Sequence, residues 1–119
     1  MRTLTISLTD SEIAMQAMKE SFIRATKTGE YQGEAISYAT PAQLFRVFTQ
    51  KRWELIACLQ DQSESVSIRE LARQLGRDVR RVHDDVQALM EEGVIEKEGT
   101  GIHIPFAEIH TDFTLRKAA

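Results

Sequence analysis

The sequence predicts an α+β fold, and three patterns carry that prediction. Apolar and polar residues alternate near both ends, apolar residues recur at helical spacing between them, and a helix pair split by a glycine leads into a hairpin pattern. At the start, Leu4, Ile6 and Leu8 face one way and Thr3, Thr5 and Ser7 the other, which reads as a half-buried strand over residues 3–8. Thr9 or Asp10 then caps a helix running to about Thr28, with Glu12 in the first turn, where a negative charge suits the helix dipole. Met15, Met18, Phe22 and Ala25 form its apolar stripe, and Gly29 is a natural stop. A short second strand follows near Ala35–Ala39, carrying Ile36 and Tyr38.

Thr40-Pro41 is a cap followed by a first-turn proline, and opens a short helix with Leu44, Phe45 and Phe48. Thr49 offers the next cap, for a helix marked by Trp53, Ile56 and Leu59 that runs to about Asp61. Gln60–Ser65 is a polar loop. At the other end Ile109, Thr111, Phe113 and Leu115 alternate with Glu108, His110, Asp112 and Thr114. That strand needs a partner, and the N-terminal strand is the obvious one, within one chain or across a dimer.

Bulk properties narrow the function classes. The chain has 119 residues, one domain's worth, and its 42% hydrophobic content can fill a core. Fifteen Lys+Arg against eighteen Asp+Glu give a formal net charge of -3, so attraction to nucleic acid would require the cations to gather on one face. The single cysteine, Cys58, allows no intramolecular disulfide and fits a reducing compartment. Residues 1–5 lack the apolar core of a signal peptide, and no run approaches the roughly 18 apolar residues of a membrane helix, so a cytoplasmic location and no membrane partner are expected.

The informative segment is Ser67–Gly93. Ser67 caps a short helix whose apolar residues are Ile68, Leu71, Ala72 and Leu75; the small Ala72 sits where two crossing helices must approach closely. Gly76 ends that helix in a tight turn, and Asp78 caps the next. Val79, Val82, Val86, Leu89 and Met90 form the buried stripe of the second helix, which leaves Arg80, Arg81, Asp84 and Ala88 pointing away. Val94–Glu98, the turn Gly99-Thr100-Gly101 and Ile102–Ile104 then read as a hairpin stopped by Pro105. Together these make a winged helix-turn-helix, with an added N-terminal strand-helix-strand segment and a C-terminal strand. The expected division is 1–40, 41–106 and 107–119.

In such a unit the start of the second helix enters the major groove, and arginines there bond guanine edges or grip phosphates. The expected DNA-binding residues are therefore Arg77, Arg80, Arg81 and Asp84 around that helix, with Arg69 and Arg73 on the first helix for phosphates. Lys51 and Arg52 belong to a second cluster with Arg46, and Lys97 and Thr100 make backbone contacts from the hairpin. Charge is partitioned accordingly: five arginines against Glu70 and Asp78 between residues 69 and 81, then six acids against Lys97 between 84 and 98.

Residues Thr49–Leu55, Ile68-Arg69-Glu70-Leu71-Ala72, Gly76-Arg77-Asp78-Val79, Val82–Val86 and Gly93-Val94-Ile95 resemble the MarR-like winged-helix regulators, especially small prokaryotic ones, some of them antitoxin-associated. The resemblance covers roughly Phe45–Phe106. It implies double-stranded DNA as ligand, a homodimer, and a transcriptional regulator, expected to be a repressor. Two alternatives accompany it: an antitoxin that holds a toxin protein and autoregulates its operon, and a winged helix used for protein contacts.

No enzyme chemistry, metal or cofactor is expected. Cys58 falls within the Trp53–Leu59 helix as a small buried thiol, and His83, His103 and His110 lack metal-site spacing. His83 is assigned to packing or a hydrogen bond and His103 to a structural role. Asp84 and Asp85 point about 100° apart on a helix, so they do not form a metal-binding pair.

Overall fold

The computed structural model describes residues 1–8, 16, 19–20, 23–24, 26, 29 and 33–115. Most of the helix expected over Asp10–Thr28 lies outside the described residues. The chain divides into two units, Met1–Leu44 with Ala107–Ala119, and Phe45–Phe106. The C-terminal strand thus belongs with the N-terminal segment, and the second unit is inserted between them. No described helix is long and apolar enough to cross a membrane. Among the described residues the fold is mixed α+β, with four helices and two small sheets.

In the first unit the alternating segment becomes β1 (Thr3–Leu8), whose Leu4 and Ile6 are fully buried. β2 (Glu34–Tyr38) and β5 (Glu108–Asp112) flank it, and both pairings are parallel. β1 and β5 therefore pair within one chain, in the register Thr3↔Glu108 through Ser7↔Asp112. Parallel neighbours need long crossovers, and residues 9–33 and the whole inserted unit supply them. β5 stops at Asp112, short of the expected Leu115, because the ladder with β1 ends there. Arg2 clips β1 to β2 through Glu34, with Nε–Oε2 at 3.0 Å and Nη2–Oε1 at 2.6 Å. Both side chains are over a third exposed, so this pair adds little stability.

Helix α1 (Pro41–Val47) opens at Thr40, whose hydroxyl accepts from the Gln43 amide at 3.2 Å; the Gln43 side chain reaches back to accept from Ala39 N at 3.1 Å. In the second unit, α2 (Gln50–Gln60) starts at Thr49, α3 (Ile68–Leu75) at Ser67 and α4 (Val79–Glu91) at Asp78; each cap side chain accepts a backbone N–H of the first turn. Gly76 sits at φ 65°, the left-handed region that lets Arg77 N return to Ala72 O at 3.0 Å and close α3. Gly93, at φ 84°, ends α4 the same way, with Val94 N on Leu89 O at 2.9 Å. β3 (Glu96–Glu98) and β4 (Gly101–His103) form an antiparallel hairpin. Val66, just before α3, exchanges two backbone hydrogen bonds with Ile102, at 3.1 and 2.8 Å, which ties the hairpin to the start of the helix pair.

The core of this unit is apolar: Phe48, Leu55, Ile56, Leu59, Leu71, Ala72, Val82, Val86, Leu89, Val94, Ile95, Ile102 and Phe106 are all buried. Phe48 and Trp53 stack with ring centroids 4.9 Å apart. The expected stripe of α4 departs from this core at its first residue, since Val79 is 44% exposed. A residue in the opening turn lies at the end of the helix, beyond the reach of the core that buries Val82 one turn later. Ala88, expected to point outward, is half-buried, and Phe45, expected among the apolar residues of its helix, is half exposed.

Candidate nucleic-acid interface

The buried residues of α4 define what its other face can do. Val82, Val86 and Leu89 point into the core, and at 100° per residue Arg80 and Asp84 then point directly away from it, with Gln87 beside them. Arg81 lies on the flank toward the start of α2. There Thr49, Gln50, Lys51, Arg77, Arg81, Asp84 and Asp85 line an open recess of about 460 Å³. His83 and Gln87 lie on the opposite flank, where with Lys97, Thr100 and Ile68 they line a recess of about 390 Å³ beside the hairpin. One helix face is thus bordered by two hollows.

Ion pairing sorts the ten residues expected to bind DNA. Arg52 and Arg77 both converge on Asp85: Arg52 Nε lies 3.1 Å from Oδ1 and Arg77 Nη2 lies 2.7 Å from Oδ2. The three side chains are only 21%, 15% and 17% exposed, respectively. Arg52 also donates from Nη1 to Val47 O at 2.9 Å. These two arginines, expected at the DNA surface, instead join the start of α2, the α3–α4 turn and the middle of α4. Burial pushes the Asp85 carboxyl up, but hydrogen bonds and charge from Arg77 and Arg52 outweigh it and hold the group below its ordinary value.

Arg73 is engaged locally, its Nε donating to Glu70 Oε2 at 2.9 Å on the same helix face. The hydrogen bond from Arg73, then that from Gln74, holds the Glu70 carboxyl down to about 2. Lys51, Arg69, Arg80, Arg81 and Lys97 are exposed and, among the described residues, have no carboxylate partner. Thr100 is exposed at the hairpin turn. Asp84 is 73% exposed while its neighbour Asp85 is engaged, the divergence expected of adjacent helical residues.

His83, expected to pack or hydrogen-bond, is 53% exposed, with Nδ1 3.7 Å from Asp84 Oδ1, and lines the recess beside the hairpin. Gln87 is absent from the expected set and His83 was expected only to pack or hydrogen-bond, although the helix wheel alone places both beside Arg80. His103 lies across the hairpin from Glu96, its Nδ1 3.5 Å from Glu98 Oε2. Cys58 is half-buried, with Sγ 3.7 Å from Gln74 Oε1. No group of three His, Cys, Asp or Glu that could hold a metal ion occurs among the described residues.

The family model HVO_A0114 matches residues 47–111, more than half of the chain. The chain belongs to the HVO_A0114 family. Its matched span takes in the helix pair, the hairpin and most of β5, so both hollows of the HVO_A0114 chain fall within it. Comparison with curated proteins and with solved structures yields no match.

Proposed function

We propose that this HVO_A0114 chain is a sequence-specific double-stranded DNA-binding transcriptional regulator, a repressor that acts as a homodimer. Its inserted unit is read as a winged helix-turn-helix of MarR-like type. The observation that carries the reading is the start of α4: Arg80 on its outward face and Arg81 on its flank, both exposed and without a carboxylate partner among the described residues, open a helix that a hairpin follows.

The charge pattern supports it. The molecule is acidic overall, at -3, so the exposed cations Lys51, Arg69, Arg80, Arg81 and Lys97, without carboxylate partners among the described residues, supply positive potential locally. Arg80, Asp84 and Gln87 have the chemistry to read base edges in the major groove: arginine donates to guanine O6 and N7, a carboxylate accepts from cytosine N4, and glutamine pairs with adenine. Lys51 and Arg81, lining one recess, suit one phosphate strand. Lys97 and Thr100, lining the other, suit the strand across the groove.

The test is binding to DNA upstream of the chain's own gene, followed by fluorescence anisotropy across a salt series. A steep fall in affinity with salt is expected. Arg80→Ala should cost about 1–3 kcal/mol on the specific site and relax discrimination there. Arg81→Ala should weaken binding to all sequences alike and flatten the salt slope by about one phosphate contact. Salt-independent or undetectable binding, with the double variant equal to wild type, would exclude this reading.

A further inference from the structure

β5 has β1 on one side and, among the described residues, no strand on the other. An open edge is a template for further pairing unless charged side chains, proline or a bulge blunt it; Glu108–Asp112 contains neither lysine nor proline, and its two carboxylates stand at its ends. The apolar alternation of this segment outruns its partner. It continues to Leu115, whereas the ladder with β1 ends at Ser7↔Asp112. Phe113 is 40% exposed and Leu115 70% exposed beyond that point. We propose that β5 pairs antiparallel with β5 of a second copy of this chain, centred on Thr111, joining two three-stranded sheets into one of six strands.

Charge and hydropathy select this register. Centred on Thr111, His110 lies opposite the partner's Asp112, Ile109 opposite the partner's Phe113, and Glu108 opposite the partner's Thr114. Every opposed pair is then polar with polar or apolar with apolar, and the ring N–H of His110 can donate to a carboxylate on the exposed face. Centring on His110 sets Glu108 against the partner's Asp112, and centring on Asp112 sets that carboxylate against its own copy. Centring on Ile109 brings Asp112 against the partner's Phe106, which is already buried. The side-chain period of two fixes faces as well as partners: odd-numbered residues continue the face that carries Leu4 and Ile6.

This inference rests on the homodimer reading and not on DNA binding, so it is tested without DNA. The mass of the full chain, measured by light scattering from 1 to 100 μM (roughly the range over which a two-strand interface dissociates), should be that of a dimer. His110→Asp sets two carboxylate pairs face to face and should raise the dimer dissociation constant about tenfold or more. His110→Asp combined with Asp112→His restores the pairing and should restore the dimer. Thr111→Cys in a Cys58→Ser background opposes the new thiol to its own copy, at a Cα separation of about 4.5–5.5 Å that a disulfide spans. It should cross-link on oxidation, whereas Glu108→Cys should not. A monomeric wild type overturns both this edge and the homodimer reading. A dimer that His110→Asp leaves intact, or that Thr111→Cys fails to link, overturns this edge alone.

Discussion

Asp85→Asn removes one negative charge and almost no volume from the point where three elements meet. In the native chain that carboxylate accepts from Arg77 at 2.7 Å and from Arg52 at 3.1 Å, and all three side chains are largely sheltered from water. Asparagine leaves two guanidiniums facing each other with one acceptor oxygen between them. Removing one partner of a fully buried pair costs about 3–5 kcal/mol; partial exposure and the retained acceptor reduce this to about 2–4 kcal/mol. Against a total stability of about 5–15 kcal/mol, that is a large fraction. Trp53, the only tryptophan, lies in α2 stacked on Phe48, so its fluorescence reports unfolding of this unit. In urea the midpoint should fall with the slope unchanged. The pH dependence gives a second reading. The folded Asp85 carboxyl titrates below its ordinary 3.8, so its contribution is fully present above that value and lost as pH falls through the lower folded value. Wild type and Asp85→Asn should therefore converge in strong acid, separate as the pH rises through the lowered folded value, and keep a constant difference above about 4. A destabilisation below about 0.5 kcal/mol at pH 7 is what an exposed ion pair produces, and it would refute the claim that this triad fastens the three elements together.

Gly76→Ala should destabilise the second unit by about 1 kcal/mol, read from the same urea midpoint. A Cβ there would meet nothing within 4 Å, so the cost is that of holding alanine at φ 65° rather than of a clash. In Arg73→Ala, an NMR titration should find the Glu70 carboxyl returning from about 2 toward the ordinary carboxylate range, with the unfolding midpoint scarcely moved. Exposed pairs perturb titration more than stability because water screens what they contribute.

Local chemistry was legible in the sequence because its causes lie within a turn or two of the residue concerned. Ser67 and Asp78 cap the helices they were expected to cap, Gly76 takes the left-handed turn, and Val82, Val86 and Leu89 are buried at their helical spacing. The strands at 3–8 and 108–112 likewise follow from alternation. Only the tertiary structure decided that β1 lies between β2 and β5 with both neighbours parallel, since alternation specifies a face and not a partner. It also decided which cations are free. Arg77 and Arg80 are equivalent as letters beside a glycine turn, yet one meets Asp85 eight residues on, joined there by Arg52 from another helix, and the other meets no carboxylate among the described residues. A charge's role depends on what the fold brings within about 4 Å of it and how far it shields the pair from water, and that distance crosses elements the sequence does not join.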